Sequence, residues 1–111
     1  MWEMMEENLE RTFSRDAYRQ MGGYTKRCRG VNVYCKIENP EGARIQEFFA
    51  EGERLELERT YKVAFVTEQG VPERYGRNRR TLELKAIPAL RRYLERGKVI
   101  TAELRGSVVA V

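Results

Sequence analysis

The chain has 111 residues, 41% of them hydrophobic and 34% charged, with a net charge of +4. A chain this short supports one domain, residues 1–111, with one modest core, because it buries only about two-thirds of the surface its unfolded form exposes. No apolar run approaches the ~20 residues needed to cross a bilayer, and no basic stretch leads into an apolar one, so the expected address is the cytoplasm with no membrane partner.

Trp2, Met5, Leu9 and Phe13 recur at spacings of three and four, which predicts one apolar face of a helix from Trp2 to about Phe13. Glu3, Glu6 and Glu7 fall in its first turns, where the helix dipole favours negative charge. Paired carboxylates such as Glu6 and Glu7, or Glu56 and Glu58, read as charged faces in water, so they are poor acid–base candidates. In the looser "SRDAYRQMGGY" that follows, Asp16 caps a short turn and Gly22-Gly23 ends helical structure.

"VNVYCKIE" alternates, with Val31, Val33, Cys35 and Ile37 on one face, and predicts a half-buried strand. Cys28 and Cys35 lie seven apart on one extended segment, about 23 Å when stretched at ~3.3 Å per residue, too far to pair without folding back. With no histidine and two isolated thiols, neither a zinc site nor a Cys/His nucleophile is expected.

"NPEG" marks a turn at Asn39–Gly42, after which strict alternation puts Ile45, Glu47 and Phe49 opposite Gln46 and Phe48. A tight turn at Glu51-Gly52 leads on to Leu55 and Leu57. "TYKVAFV" carries apolar residues on both faces and reads as the central strand of a meander. At its far end Thr67, Glu68 and Gln69 are either the polar lip of a pocket or a plain exit into the loop to about Leu84, with the exit favoured.

That loop holds the one concentrated basic stretch, "RYGRNRR", Arg74 to Arg80. The sixteen arginines and five lysines are elsewhere interleaved with acids, so nucleic acid is disfavoured as a partner. Arg77, Arg79 and Arg80 are the candidates to hold a phosphate or an acidic partner, against a reading as a solvated loop of an Arg-rich, thermophile-like chain. "AIPALRRYLERG" then predicts a helix with Pro88 in its first turn, Ile87, Leu90 and Leu94 on its apolar face and Gly97 as its stop. "VITAEL" and "SVVAV" read as a closing hairpin about Arg105-Gly106. The sum is an α+β domain, a mostly antiparallel sheet with helices packed on it.

The ordered set "WEMMEENLE", "GGYTKRCRGVNVYCKIENPEGARI", "AEGERLELERTYKVAF" and terminal "ELRGSVV" resembles the later part of the C-terminal domain of the 5'-nucleotidase and UDP-sugar hydrolase family, over nearly the whole chain. The resemblance implies a substrate-binding-type domain of a nucleotide-hydrolysing phosphoesterase, not catalytic alone. In that family a separate dimetal domain supplies divalent metals, so no cofactor is expected in this chain and a metallophosphoesterase subunit is an expected partner. Family members are often periplasmic or extracellular.

In relatives, aromatic side chains sandwich the nucleobase, and the first of them maps to Tyr24. The second falls near Glu68, and the family's "GGDGY" loop is replaced here by "QGVPERYG". Either Phe65 or Tyr75 takes the second stacking role for a nucleotide or nucleoside, or the domain is a structural or protein-interaction module that has lost the pocket. The absent first part of the family domain would leave a sheet edge and the Trp2 face to cover, which predicts a homodimer.

Overall fold

The helix from the first residues, α1 (Trp2–Phe13), lies on a four-stranded sheet, and its apolar stripe supplies the centre of the core. The computed structural model describes residues 1–22, 24–66, 71–97, 99 and 106–111. The chain divides into two compact units, Met1–Tyr61 with Arg105–Val111, and Lys62–Leu104.

In the first unit the strands are β1 (Val31–Cys35), β2 (Ile45–Ala50), β3 (Glu53–Arg54) and β4 (Val108–Ala110), in the order β3-β2-β1-β4. The pairs β1–β2 and β2–β3 are antiparallel, while β4 runs parallel to β1. With α1 packed on it, this is an α+β fold built on a mostly antiparallel sheet.

Met5 and Leu9 of α1 meet Val33, Cys35, Ile45, Phe48 and Leu55, all buried. Each such large side chain contributes about 1.5–3 kcal/mol when taken from water. Trp2 packs on Phe48 with ring centroids 6.0 Å apart, so the sheet of the same chain covers the Trp2 face that sequence reasoning left open. Asp16 accepts from the Tyr18 N–H at 2.9 Å and caps the short 3-10 turn Ala17–Arg19 as expected.

The centre of the sheet belongs to β1, and this corrects the reading of "TYKVAFV" as the central strand. Both edges of β1 are taken, by β2 and by β4, and residues 61–66 join no ladder. Val63, Phe65 and Val66 are 54%, 42% and 83% exposed, so their apolar pattern is not spent on a sheet core. Nine residues, 36–44, join β1 to β2, a loop short enough that closing the pair costs little chain entropy.

A second correction concerns β2. Tyr34 pairs with Glu47 but Cys35 pairs with Ile45, so Gln46 is an extra residue bulged out of the ladder. Because side chains alternate with period two, one inserted residue reverses the faces beyond it. Ile45 and Phe48 therefore both point inward, and Phe49 instead meets Tyr34 edge-on at 6.0 Å.

β2 returns through Glu51-Gly52, both at positive φ (54° and 87°), the backbone of a two-residue hairpin turn whose twist matches its strands. In the second unit, α2 (Ala86–Leu94) carries Pro88 in its first turn, and Gly97 at φ 68° follows its end. The "VITAEL" half of the expected closing hairpin, apart from Val99, lies outside the described residues, as do Gly23 and the Thr67, Glu68 and Gln69 lip. No helix among the described residues is long and apolar enough to cross a membrane.

Candidate functional site

The residues singled out from the sequence fall in both units, and each set has its own support. In the first unit, Tyr24 follows the 3-10 turn on a segment laid along α1. The Tyr24 carbonyl accepts from Asn8 Nδ2 and Thr12 Oγ1, each at 3.4 Å, and the Lys26 N–H donates to Asn8 Oδ1 at 2.8 Å. Asn8 thus serves residues 24–26 as a neighbouring strand would, and Met21 N–H adds a bond to the Arg11 carbonyl at 3.0 Å. The backbone is fastened while the Tyr24 ring stays 85% exposed.

Burial beside α1 pushes the Lys26 ammonium below its ordinary value, with Arg11 adding to the effect. Cys28, half-buried, directs its thiol to the Lys26 carbonyl at 3.8 Å, and its N–H donates to Ser107 Oγ at 3.0 Å. Desolvation pushes its thiol up, and burial pushes up that of Cys35 too, with Glu6 as a further cause. Both are free thiols held in the protonated form, the opposite of what a nucleophile requires.

In the second unit, three of the predicted residues are organised together. The Arg79 guanidinium lies over the Phe65 ring, 4.8 Å from its centroid. Its Nη1 donates to the carbonyls of Val71, Pro72 and Tyr75 at 3.1, 2.9 and 3.2 Å. Arg74 in turn lies over the Tyr75 ring at 4.9 Å. Arg79 is therefore the brace of this loop, drawing its carbonyls onto one cation, and its Nη2 is buried without a hydrogen-bond partner.

Arg77 and Arg80 behave differently. Both are exposed, and neither has an ion pair or hydrogen bond among the described residues. Arg77 stands between Gly76 at φ 94° and Asn78 at φ 55°. The loop thus combines two stacked rings, one internal brace and two uncommitted guanidinium groups.

Sequence reasoning missed a buried charged cluster between α1 and the sheet, and the reading of Glu6 as a solvated carboxylate is overturned. Glu6 is 7% exposed and accepts from the N–H groups of Ile45 and Arg44 at 2.7 and 3.3 Å. Arg44, 4% exposed, pairs with Glu10 at 2.7 Å and donates to the Ile37 and Phe13 carbonyls at 2.7 and 3.1 Å. The spacing of Glu6 and Glu10, one turn apart beside Met5 and Leu9, was the available signal. Every carboxylate here is engaged by the fold, which makes the cluster a clamp for the bulged start of β2 and not a catalytic pair.

Among the described residues no group of three or more His, Cys, Asp or Glu side chains is placed to hold a metal ion. Compared with known proteins, the chain matches no family model, no curated protein and no solved structure.

Proposed function

We propose that this chain is a substrate-binding-type domain of a 5'-nucleotidase-like phosphoesterase, one that holds a nucleotide or nucleoside and is not catalytic alone. The observation that carries the reading is the loop of the second unit, where Phe65 and Tyr75 are each stacked with a guanidinium while Arg77 and Arg80 have no ion pair among the described residues. A planar base needs an aromatic face, worth about 1–3 kcal/mol per stack, and a phosphate needs the arginine fork. Tyr24, exposed on a fastened backbone, offers a further aromatic face of the same kind. Hydrolysis belongs in this reading to a metallophosphoesterase domain or subunit with its own divalent metals.

The test is a titration of the purified chain with AMP, adenosine and UDP-glucose followed by amide and aromatic NMR shifts. Shifts at Phe65 and Tyr75 are the expected result. No shift at millimolar ligand would overturn the proposal. A second reading, a protein-interaction module without a small-molecule site, draws on α2, whose Ile87, Leu90 and Leu94 are 80%, 57% and 52% exposed.

A further inference from the structure

Resting on that reading, we infer that the ligand of the second unit carries at least two separate anionic groups, as a nucleoside bisphosphate does, and that Arg77 and Arg80 hold the one remote from the reacting phosphate. A nucleoside monophosphate has a single phosphate, and in a phosphoesterase that phosphate belongs at the metals. Cations beside the base-stacking rings then have no partner in a monophosphate. Arg77 and Arg80 are such cations, on the same short loop as Tyr75 and exposed without an ion pair among the described residues.

Three features make this loop a preformed anion site and not merely a charged surface. Arg79 is committed to the loop carbonyls and to Phe65, so the backbone that carries Arg77 and Arg80 is braced without using either. Gly76 at φ 94° and Asn78 at φ 55° give the backbone on both sides of Arg77 a left-handed conformation. The surrounding field has the right sign as well: residues 62–104 hold ten Lys and Arg against five Glu, whereas the remaining residues are one charge net negative. A basic unit within a nearly balanced chain draws a polyanion to itself before any contact forms.

Geometry and electrostatics thus divide the labour. Aromatic faces take the base, Arg79 fixes the loop, and the free guanidinium pair takes a phosphate on the ribose. Arginine suits that role because its fork meets two phosphate oxygens at once.

The experiment compares AMP with adenosine 3',5'-bisphosphate by calorimetry and NMR at low ionic strength, on the wild-type chain and on the Arg77→Ala/Arg80→Ala variant. Exposed charge pairs are weak one by one, so two of them give about fivefold tighter binding of the bisphosphate. In the variant that advantage disappears, and raising the salt erases it in the wild type. Equal affinity for both ligands in the wild type overturns the inference and leaves the nucleotide reading standing. A bisphosphate advantage that survives in the variant also overturns it, because the second phosphate then lies elsewhere. Binding of neither ligand removes both. If inorganic pyrophosphate or a single-stranded oligonucleotide binds as tightly as the bisphosphate and AMP not at all, the site reads charge alone and the inference fails. Retained dispersion of the unit's amide resonances shows that the variant is folded.

Discussion

Arg44 and Glu10 form an ion pair at 2.7 Å with side chains only 5% and 9% exposed, linking the start of β2 to the middle of α1. Two charges so far from water are held by what surrounds them: Arg44 also reaches two carbonyls, and Arg19 approaches Glu10 at 3.7 Å. Within this cluster, among the described residues, Arg44 Nε is left without a partner. Arg44→Ala strands Glu10 in the interior and is expected to cost about 3–5 kcal/mol in urea unfolding. Arg44→Met with Glu10→Leu removes both charges together and restores most of that loss. A single variant close to wild type would show that water reaches the pair.

The bulge at Gln46 makes Phe48 and Phe49 unequal in a way that strict alternation inverts. Phe48 is 2% exposed against Trp2 and Val33, whereas Phe49 is half-buried on the other face beside Tyr34. Phe48→Ala is expected to cost about 3–5 kcal/mol, and Phe49→Ala about 1 kcal/mol, near the value of one aromatic pair. Equal losses in chemical denaturation would place the bulge elsewhere.

These two cases mark where the sequence was readable and where it was not. The spacing of Trp2, Met5, Leu9 and Phe13 is a local signal with one meaning, and α1 follows it, as α2 follows Pro88 and Gly97. Alternation identified β1, and Glu51-Gly52 identified the turn from β2 into β3, because both depend on neighbours in the chain. A bulge depends on what the partner strand needs, so nothing in "RIQEFF" announces it. The central position in a sheet is likewise a question of which strands find one another, and the two-sided apolar pattern of residues 61–66 answered only what such a strand would look like. Of the site, the aromatic and arginine identities were legible; that Arg79 serves the loop while Arg77 and Arg80 remain free required the carbonyl positions.

Among the described residues Glu51 is one of two non-glycine residues at positive φ, 54°, followed by Gly52 at 87°. A side chain with a Cβ is strained there, and asparagine or glycine tolerates the conformation better. Glu51→Asn is expected to stabilise the chain by about 0.5–1 kcal/mol, read as a higher urea midpoint at unchanged slope. Gly52→Ala has open space around its Cβ but the wrong backbone, and is expected to destabilise.

If Arg79 braces the loop of residues 71–79, its loss loosens that loop alone. Arg79→Ala releases three carbonyls and uncovers one face of Phe65. Hydrogen exchange at residues 71–77 is expected to rise by about tenfold, as loss of roughly 1.4 kcal/mol of local protection implies, while amides of β1 and β2 keep their rates. Arg79→Lys is expected to behave like the alanine variant, since an ammonium cannot both stack on the ring and span the carbonyls. Uniform acceleration throughout the chain would mean that Arg79 supports global stability instead.

The thiols make a prediction about alkaline pH. Cys28 and Cys35 both hold their protons more tightly folded than unfolded, their pKa values raised above the ordinary 9.0 first by burial. Stability from this source is fully present below about pH 9, where both states are protonated, and is lost as pH rises through the folded-state values. Lys26 acts in the opposite sense: its folded pKa is lowered from 10.5, so its contribution improves as the ammonium deprotonates. The difference in unfolding free energy between wild type and Cys28→Ala/Cys35→Ala isolates the thiols, and is expected to shrink steadily above pH 9. With a disulfide-exchange reagent at pH 8, half-buried Cys28 reacts first and slowly, and Cys35, 1% exposed, reacts only on unfolding. A wild-type advantage that does not change between pH 8 and 11 would mean that water already solvates both sulfurs.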